Sequence, residues 1–232
     1  MEVQSTPFGI WDEVDNPLIV PSAGASINTP QAGMVSLTEL TFGVSNPQAL
    51  YMGTEGRGLY RSTNGGSSWA YAGRSGETIW AIAVDPMDHT HVYAASSSVG
   101  GLDVTTNSGA SWADGGLPDR LVYSLSYSPA NPQVLYAGTD NGVYRLQAGA
   151  WANTGLAGLL VTAVSADPQN SLYVCAGTNA GAYCSSDGGL IWDLVPASFV
   201  GAQVRSIYFD TFTEGYVYFN TQERGTLRYN FR

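Results

Sequence analysis

Residues 51–69 read Tyr-Met-Gly-Thr-Glu-Gly-Arg-Gly-Leu-Tyr-Arg-Ser-Thr-Asn-Gly-Gly-Ser-Ser-Trp. Two short runs of strand-forming residues flank a glycine-rich turn, and a second polar turn ends in Trp69, the pattern of two successive hairpins. The stretch recurs. Its first aromatic, Tyr51, returns as Tyr93, Tyr136 and Tyr218, with Cys175 in the same column, at spacings of 42, 43, 39 and 43 residues. About ten residues beyond each anchor stand Arg61, Val104, Arg145, Cys184 and Arg228, followed in four units by Trp69, Trp112, Trp151 and Trp192. A repeat near 40 residues holding four strands fits a propeller blade.

The fifth unit has no Trp after Arg228, and the missing piece stands at the other end of the chain. Ser5-Thr6-Pro7-Phe8-Gly9-Ile10-Trp11 matches Ser62 to Trp69 with one residue deleted. The reading is therefore an all-β, five-bladed β-propeller, its ring closed by the N-terminal strand completing the C-terminal blade. It forms a single domain over 1–232, with blades at about 35–77, 78–119, 120–159, 160–201, and 202–232 plus 5–13. Turn formers separate first from second strands at Asn46-Pro47, Asp85-Pro86, Ser128-Pro129 and Asp167-Pro168.

Ser185-Ser186-Asp187-Gly188-Gly189-Leu190-Ile191-Trp192 fits the pattern Ser/Thr-x-Asp-x-Gly-x-x-Trp. Ser62, Asn64, Gly66 and Trp69 repeat it with Asn for Asp, as do Thr105, Asn107, Gly109 and Trp112. The chain thus resembles the Asp-box (BNR, sialidase-like) repeat superfamily, whose members include sialidases, xyloglucan-cleaving glycosidases, sortilin-type receptors and photosystem II assembly propellers. The resemblance implies a fold more than an activity. The box is a hairpin turn in which Asp or Asn bonds its own backbone, Gly supplies positive φ and Trp anchors the hairpin. Ser185, Asp187, Gly189, Trp192, Asn64, Gly66, Trp69, Asn107, Gly109 and Trp112 accordingly carry structural roles, and no catalytic role is assigned.

Composition narrows the partners. The chain has nine Arg, no Lys, nineteen Asp plus Glu and a formal charge of −10. A nucleic-acid binder needs cations to release phosphate counterions, so DNA and RNA are not expected as partners. No stretch has the apolar length of a membrane helix, so no membrane insertion is expected. The segment after Met1 is polar and does not read as a signal peptide.

Each candidate chemistry has an ordinary structural counterpart. Sialidases hold a carboxylate with three Arg, but Arg61, Arg145 and Arg228 share one repeated column, which points to blade packing. Glycosidases need two carboxylates about the scissile bond. Glu39 stands alone in a column otherwise read as Ala81, Ser124, Ala163 and Ser206. His89 and His91 could contribute to a Zn²⁺ site only with a third ligand, and an exposed loop pair is the plainer reading. No metal and no cofactor is expected.

The informative column lies at the entrance of the inner strands: Thr38, Trp80, Tyr123, Thr162 and Arg205. Its neighbours are aliphatic in every blade, whereas this column is large, polar and varied. Glu39, Glu77 and Arg120 lie on the same rim. A channel plug explains Trp80 and Tyr123 as well as a binding site does. Trp11 to Trp69 spans 58 residues, so about 16 are extra, around Asp15 to Gly33. This loop carries the apolar run Pro17-Leu18-Ile19-Val20-Pro21, and Leu18 and Ile19 join the candidate rim. The functional reading is a non-catalytic binding or scaffold propeller that presents one rim to a protein partner. The alternatives are a carbohydrate-binding propeller and a sialidase-like glycoside hydrolase using Glu39 or Glu77. Cys175 and Cys184 should face each other across the hairpin of the fourth blade; a bridge there would favour an extracytoplasmic home.

Overall fold

The structure is a computed structural model, and it describes residues 37–97, 100–195, 201–211 and 215–231. The proposed closing strand at 5–13 and the loop carrying Leu18 and Ile19 lie outside the described residues. No helix occurs among the described residues, and none is long and apolar enough to cross a membrane.

Among the described residues nineteen strands form five antiparallel sheets. Sheet 1 holds β1 (Leu37–Gly43), β2 (Asn46–Thr54), β3 (Gly58–Ser62) and β4 (Ala70–Gly73) in that spatial order. Sheet 2 repeats the order with β5 (Ile79–Val84), β6 (Val92–Ser96), β7 (Leu102–Thr105) and β8 (Ala113–Gly116). Sheet 3 holds β9 (Val122–Ser128), β10 (Asn131–Thr139), β11 (Gly142–Gln147) and β12 (Ala150–Gly155). Sheet 4 holds β13 (Val161–Ala166), β14 (Val174–Thr178), β15 (Gly181–Ser185) and β16 (Asp193–Leu194). Sheet 5 has three described strands, β17 (Val204–Phe209), β18 (Tyr216–Thr221) and β19 (Gly225–Asn230). The first strands of successive sheets lie side by side, β1 by β5, β5 by β9, β9 by β13 and β13 by β17.

Four core clusters among the described residues lie between neighbouring sheets, and a fifth, Met52 and Tyr60 with Trp69 and Tyr71, lies within the first unit. Tyr51, Leu59 and Ala72 of sheet 1 close on Ile79, Ile82, Val92 and Ala94 of sheet 2, and the grouping repeats between sheets 3 and 4 and between sheets 4 and 5. Such close approach requires small residues. A Cβ on Gly138 would stand 2.9 Å from Val161 Cγ1, and one on Gly177 would press on Val204 harder still. Gly53 and Ala95 hold the same position in sheets 1 and 2, so each of the four contacts from sheet 1 through sheet 5 uses Gly or Ala there.

The tryptophans lock neighbouring sheets. Trp112, Trp151 and Trp192 donate from Nε1 to the carbonyls of Ala72, Gly115 and Thr154, each on the outer strand of the preceding sheet. Gly73, Gly116 and Gly155 lie beneath these rings with φ of 117°, 98° and 145°. The polar turns ahead of the tryptophans share one bonding pattern. The hydroxyls of Ser62, Thr105 and Ser185 accept from the amides of Gly66, Gly109 and Gly189, while the side chains of Asn64, Asn107 and Asp187 accept from backbone amides further along the turn. These bonds hold the Asp187 carboxyl below the usual carboxylate range. In three of the four units the Trp precedes the short outer strand, and only Trp151 lies within one.

Cys175 and Cys184 pair across β14 and β15 and are bridged, with a Cα separation of 4.1 Å. Tyr136 faces Arg145 in the same register one sheet earlier, where the guanidinium lies over the ring at 5.9 Å.

Candidate functional site

The variable column acquires a physical cause in the strand pairing. In all five inner strands the register slips by one residue at the same place: between Leu37 and Glu39, Ile79 and Ala81, Val122 and Ser124, Val161 and Ala163, and Val204 and Ser206. The residues left over are Thr38, Trp80, Tyr123, Thr162 and Arg205. A bulged residue has no ladder partner, and its side chain is re-aimed out of the sheet. Thr162 illustrates the direction, donating from its hydroxyl to the Val204 carbonyl of the next sheet at 2.6 Å. Trp80 extends the same way and stacks on Tyr123, with ring centroids 5.2 Å apart and planes 15° from parallel. Both rings stay partly exposed.

The loops around this rim are ordered by a repeated device. Arg74, Leu117 and Leu156, each five residues after a Trp, adopt positive φ of 65°, 60° and 56°. Each carbonyl then accepts from the amide three residues on, at Glu77, Arg120 and Leu159. The carbonyls of Glu77, Arg120 and Leu159 in turn accept from the amides of Gly58, Gly101 and Gly142. A side chain on this rim therefore stands on a stiff frame.

The charged residues expected on the rim are each held separately. Glu77 pairs with Arg74 at 2.9 Å, and Arg74 also reaches Asp103 at 2.7 Å. Arg120 lies 3.7 Å from Asp140. The Arg205 guanidinium bonds the Gln222 side chain. Glu39 occupies a different kind of place: it pairs opposite Gly53 on the face of sheet 1 turned toward sheet 2. Burial there pushes its carboxyl up to about 7. Leu18 and Ile19 fall outside the described residues.

Arg74, Asp103 and Asp140 do not stand out in the sequence. Arg74 carried a signal, the shared five-residue offset from Trp, but the offset is filled by Leu in the next two sheets. His89 and His91 take different surroundings. His91 Nδ1 lies 3.3 Å from Asp85 Oδ2, while the His89 ring approaches Asn46 of sheet 1. Among the described residues no group of three or more His, Cys, Asp or Glu is arranged to hold a metal ion. At the other end of the inner strands lies a largely apolar hollow of about 320 Å³, lined by Phe42, Val44, Ile82, Leu125 and Tyr127 among others.

No family model matches the sequence, and no curated protein matches it. Solved structures do. A GH74 enzyme from Niastella koreensis superposes with a TM-score of 0.69 at 22% identity, over 82% of this chain and 35% of that one. The GH74 xyloglucanase from Xanthomonas campestris gives 0.69 at 18% identity, over 82% and 36%. YCF48 from Cyanidioschyzon merolae gives 0.60 at 18% identity, over 88% of this chain and 71% of that one. The chain has a β-propeller fold. It spans about a third of the length of the GH74 enzymes, and at these identities the likeness concerns fold alone.

Proposed function

We propose that this chain is a non-catalytic propeller of the Asp-box kind that binds a protein partner through the rim bearing Trp80 and Tyr123. Five sheets make the ring, and residues 7–13 add the fourth strand of sheet 5 alongside β19. The observation that carries the binding reading is the stacked pair itself. Two large rings on bulges of adjacent inner strands, partly exposed above a stiff frame, form the kind of rigid aromatic anchor that dominates protein interfaces. The rim's ions support the same view: Glu77, Arg120 and Arg205 are already engaged by Arg74, Asp140 and Gln222, so aromatic surface is what the rim chiefly offers. The bridged Cys175 and Cys184 favour an oxidising, extracytoplasmic compartment.

The same pair supports a second reading, in which the rings stack on a sugar. Capture of partners from the source cells with immobilised wild-type and Trp80→Ala chains, run beside a glycan array, separates the two. A partner caught by wild type and lost with Trp80→Ala supports the first, and a glycan hit lost with the same variant supports the second. Capture and glycan binding both indifferent to Trp80 would overturn the site.

A further inference from the structure

The back face of β1 differs from the same face of every other inner strand. Leu37 is 42% exposed, whereas its counterparts Ile79, Val122, Val161 and Val204 are at most 1% exposed. Leu40 is 46% exposed against 5% for Ile82, and Phe42 is 56% exposed. In sheets 2 to 5 this strip is covered by the preceding sheet, which offers Gly53, Ala95, Gly138 or Gly177 at the point of closest approach.

Sheet 5 does not offer that surface. Its residue in the column is Asn220, whose side chain donates to the Ser206 hydroxyl at 3.0 Å and accepts from Thr226 at 2.6 Å. Asn220 is a larger, polar residue where the other sheets have Gly or Ala, and Tyr208 on β17 is 59% exposed. A large polar residue bonded on two sides leaves no room for the tight contact seen at Gly138. The seam between sheets 5 and 1 therefore needs an apolar filler that is not a sheet face.

We propose that Leu18-Ile19-Val20, set between Pro17 and Pro21, docks on the Leu37–Leu40–Phe42 strip and fills this seam. Sixteen residues separate Val20 from Leu37, a tether of at most about 55 Å when extended, so the run can reach the whole strip at high effective concentration. The extra length of the chain also falls at this seam: 58 residues separate Trp11 from Trp69, against 43 from Trp69 to Trp112. Residues 16–36 carry no charge in a chain of net charge −10, which suits burial against Leu and Phe. Docking of this run is independent of what the Trp80 rim binds.

The test uses Phe42→Cys in the full chain, where both native cysteines are bridged and the new thiol is free. Its reaction with a maleimide should be slow, and roughly tenfold faster or more once Leu18, Ile19 and Val20 are all changed to Ser, as loss of a docked segment requires. Equal rates in the two backgrounds, or protection that grows with protein concentration and so comes from a second copy, would overturn the proposal. A second measurement does not depend on the triple variant folding. Leu18→Cys with Leu40→Cys should cross-link on mild oxidation, whereas Leu18→Cys with Leu190→Cys, at an exposed outer turn, should not; equal cross-linking would also overturn it.

Discussion

Trp80 and Tyr123 stack at 5.2 Å although they belong to different sheets, because each is the extra residue of a bulge in its own inner strand. An offset pair of this kind contributes about 0.5–1.5 kcal/mol beyond its buried area. Trp80→Ala should therefore cost only modest stability while weakening a rim-bound partner by about 2 kcal/mol or more, as truncation of interface anchors does. Thermal melts and a binding titration on the same variant decide the matter. A large drop in melting temperature with unchanged binding would make the pair a channel plug.

Glu39 is a pH-sensitive weak point. Its carboxyl is raised from an ordinary 4.5 to about 7 by burial between sheets 1 and 2. The folded state therefore holds the proton more tightly than the unfolded chain, so this group's contribution to stability falls as pH rises from about 4.5 to 7 and stays low above that. Glu39→Gln mimics the protonated form. It should raise the melting temperature at pH 8 and leave it nearly unchanged at pH 4.5, in paired melts against wild type. An equal effect at both pH values would show that Glu39 is not titrating in this range.

The repeat was legible because every element of it is local and recurs: anchors, turns, tryptophans and the register that opposes Cys175 to Cys184 all follow from spacing. The column of Thr38, Trp80, Tyr123, Thr162 and Arg205 was visible as an anomaly, but its cause was not, since a bulge is a property of pairing between strands. From the sequence Glu39 reads as a rim residue. The strand register turns it toward sheet 2, and the small residues in its column, Ala81, Ser124, Ala163 and Ser206, were the clue to that packed position. The glycines beneath the tryptophans, four residues after Trp69, Trp112 and Trp151, look in the sequence like any of the many turn glycines. Only the contact with the next sheet's indole distinguishes them.

Those glycines give a sharp stability test. Gly155 has φ of 145°, and a Cβ there would stand 2.7 Å from Trp192 Nε1, which donates to Thr154 O. Gly155→Ala combines backbone strain of about 1–3 kcal/mol with the loss of a hydrogen bond worth about 1 kcal/mol. Urea unfolding should show a loss of about 2–4 kcal/mol. Ala at exposed Gly149, with φ of 79° and nothing within 4 Å of its Cβ, gives a positive-φ comparison free of any clash.

The proposed closing strand predicts the effect of truncation. Deleting residues 1–13 should leave β19 as an open edge, which invites pairing with another chain, and should remove Trp11, whose loss costs several kcal/mol, about 3–5 by analogy with buried aromatic deletions. The truncated chain should melt earlier and self-associate in sedimentation runs. A monomer melting like the full chain would exclude closure by this strand.

The bridge between Cys175 and Cys184 bears on both stability and compartment. Cys175 is buried, and the pair packs against Val204, Ile207 and Phe219, so it supports the contact between sheets 4 and 5 as well as its own hairpin. Closing a loop of nine residues' separation constrains the unfolded chain and contributes about 2–4 kcal/mol on the loop-entropy account. Cys175→Ala with Cys184→Ala should lower the unfolding free energy by that amount, with sheets 4 and 5 losing amide-exchange protection before sheets 1 and 2. Protein prepared from its native source should show no free thiol by mass spectrometry before reduction and two after it. Two free thiols in the native preparation would mean that the hairpin works reduced and would remove the argument for an oxidising compartment.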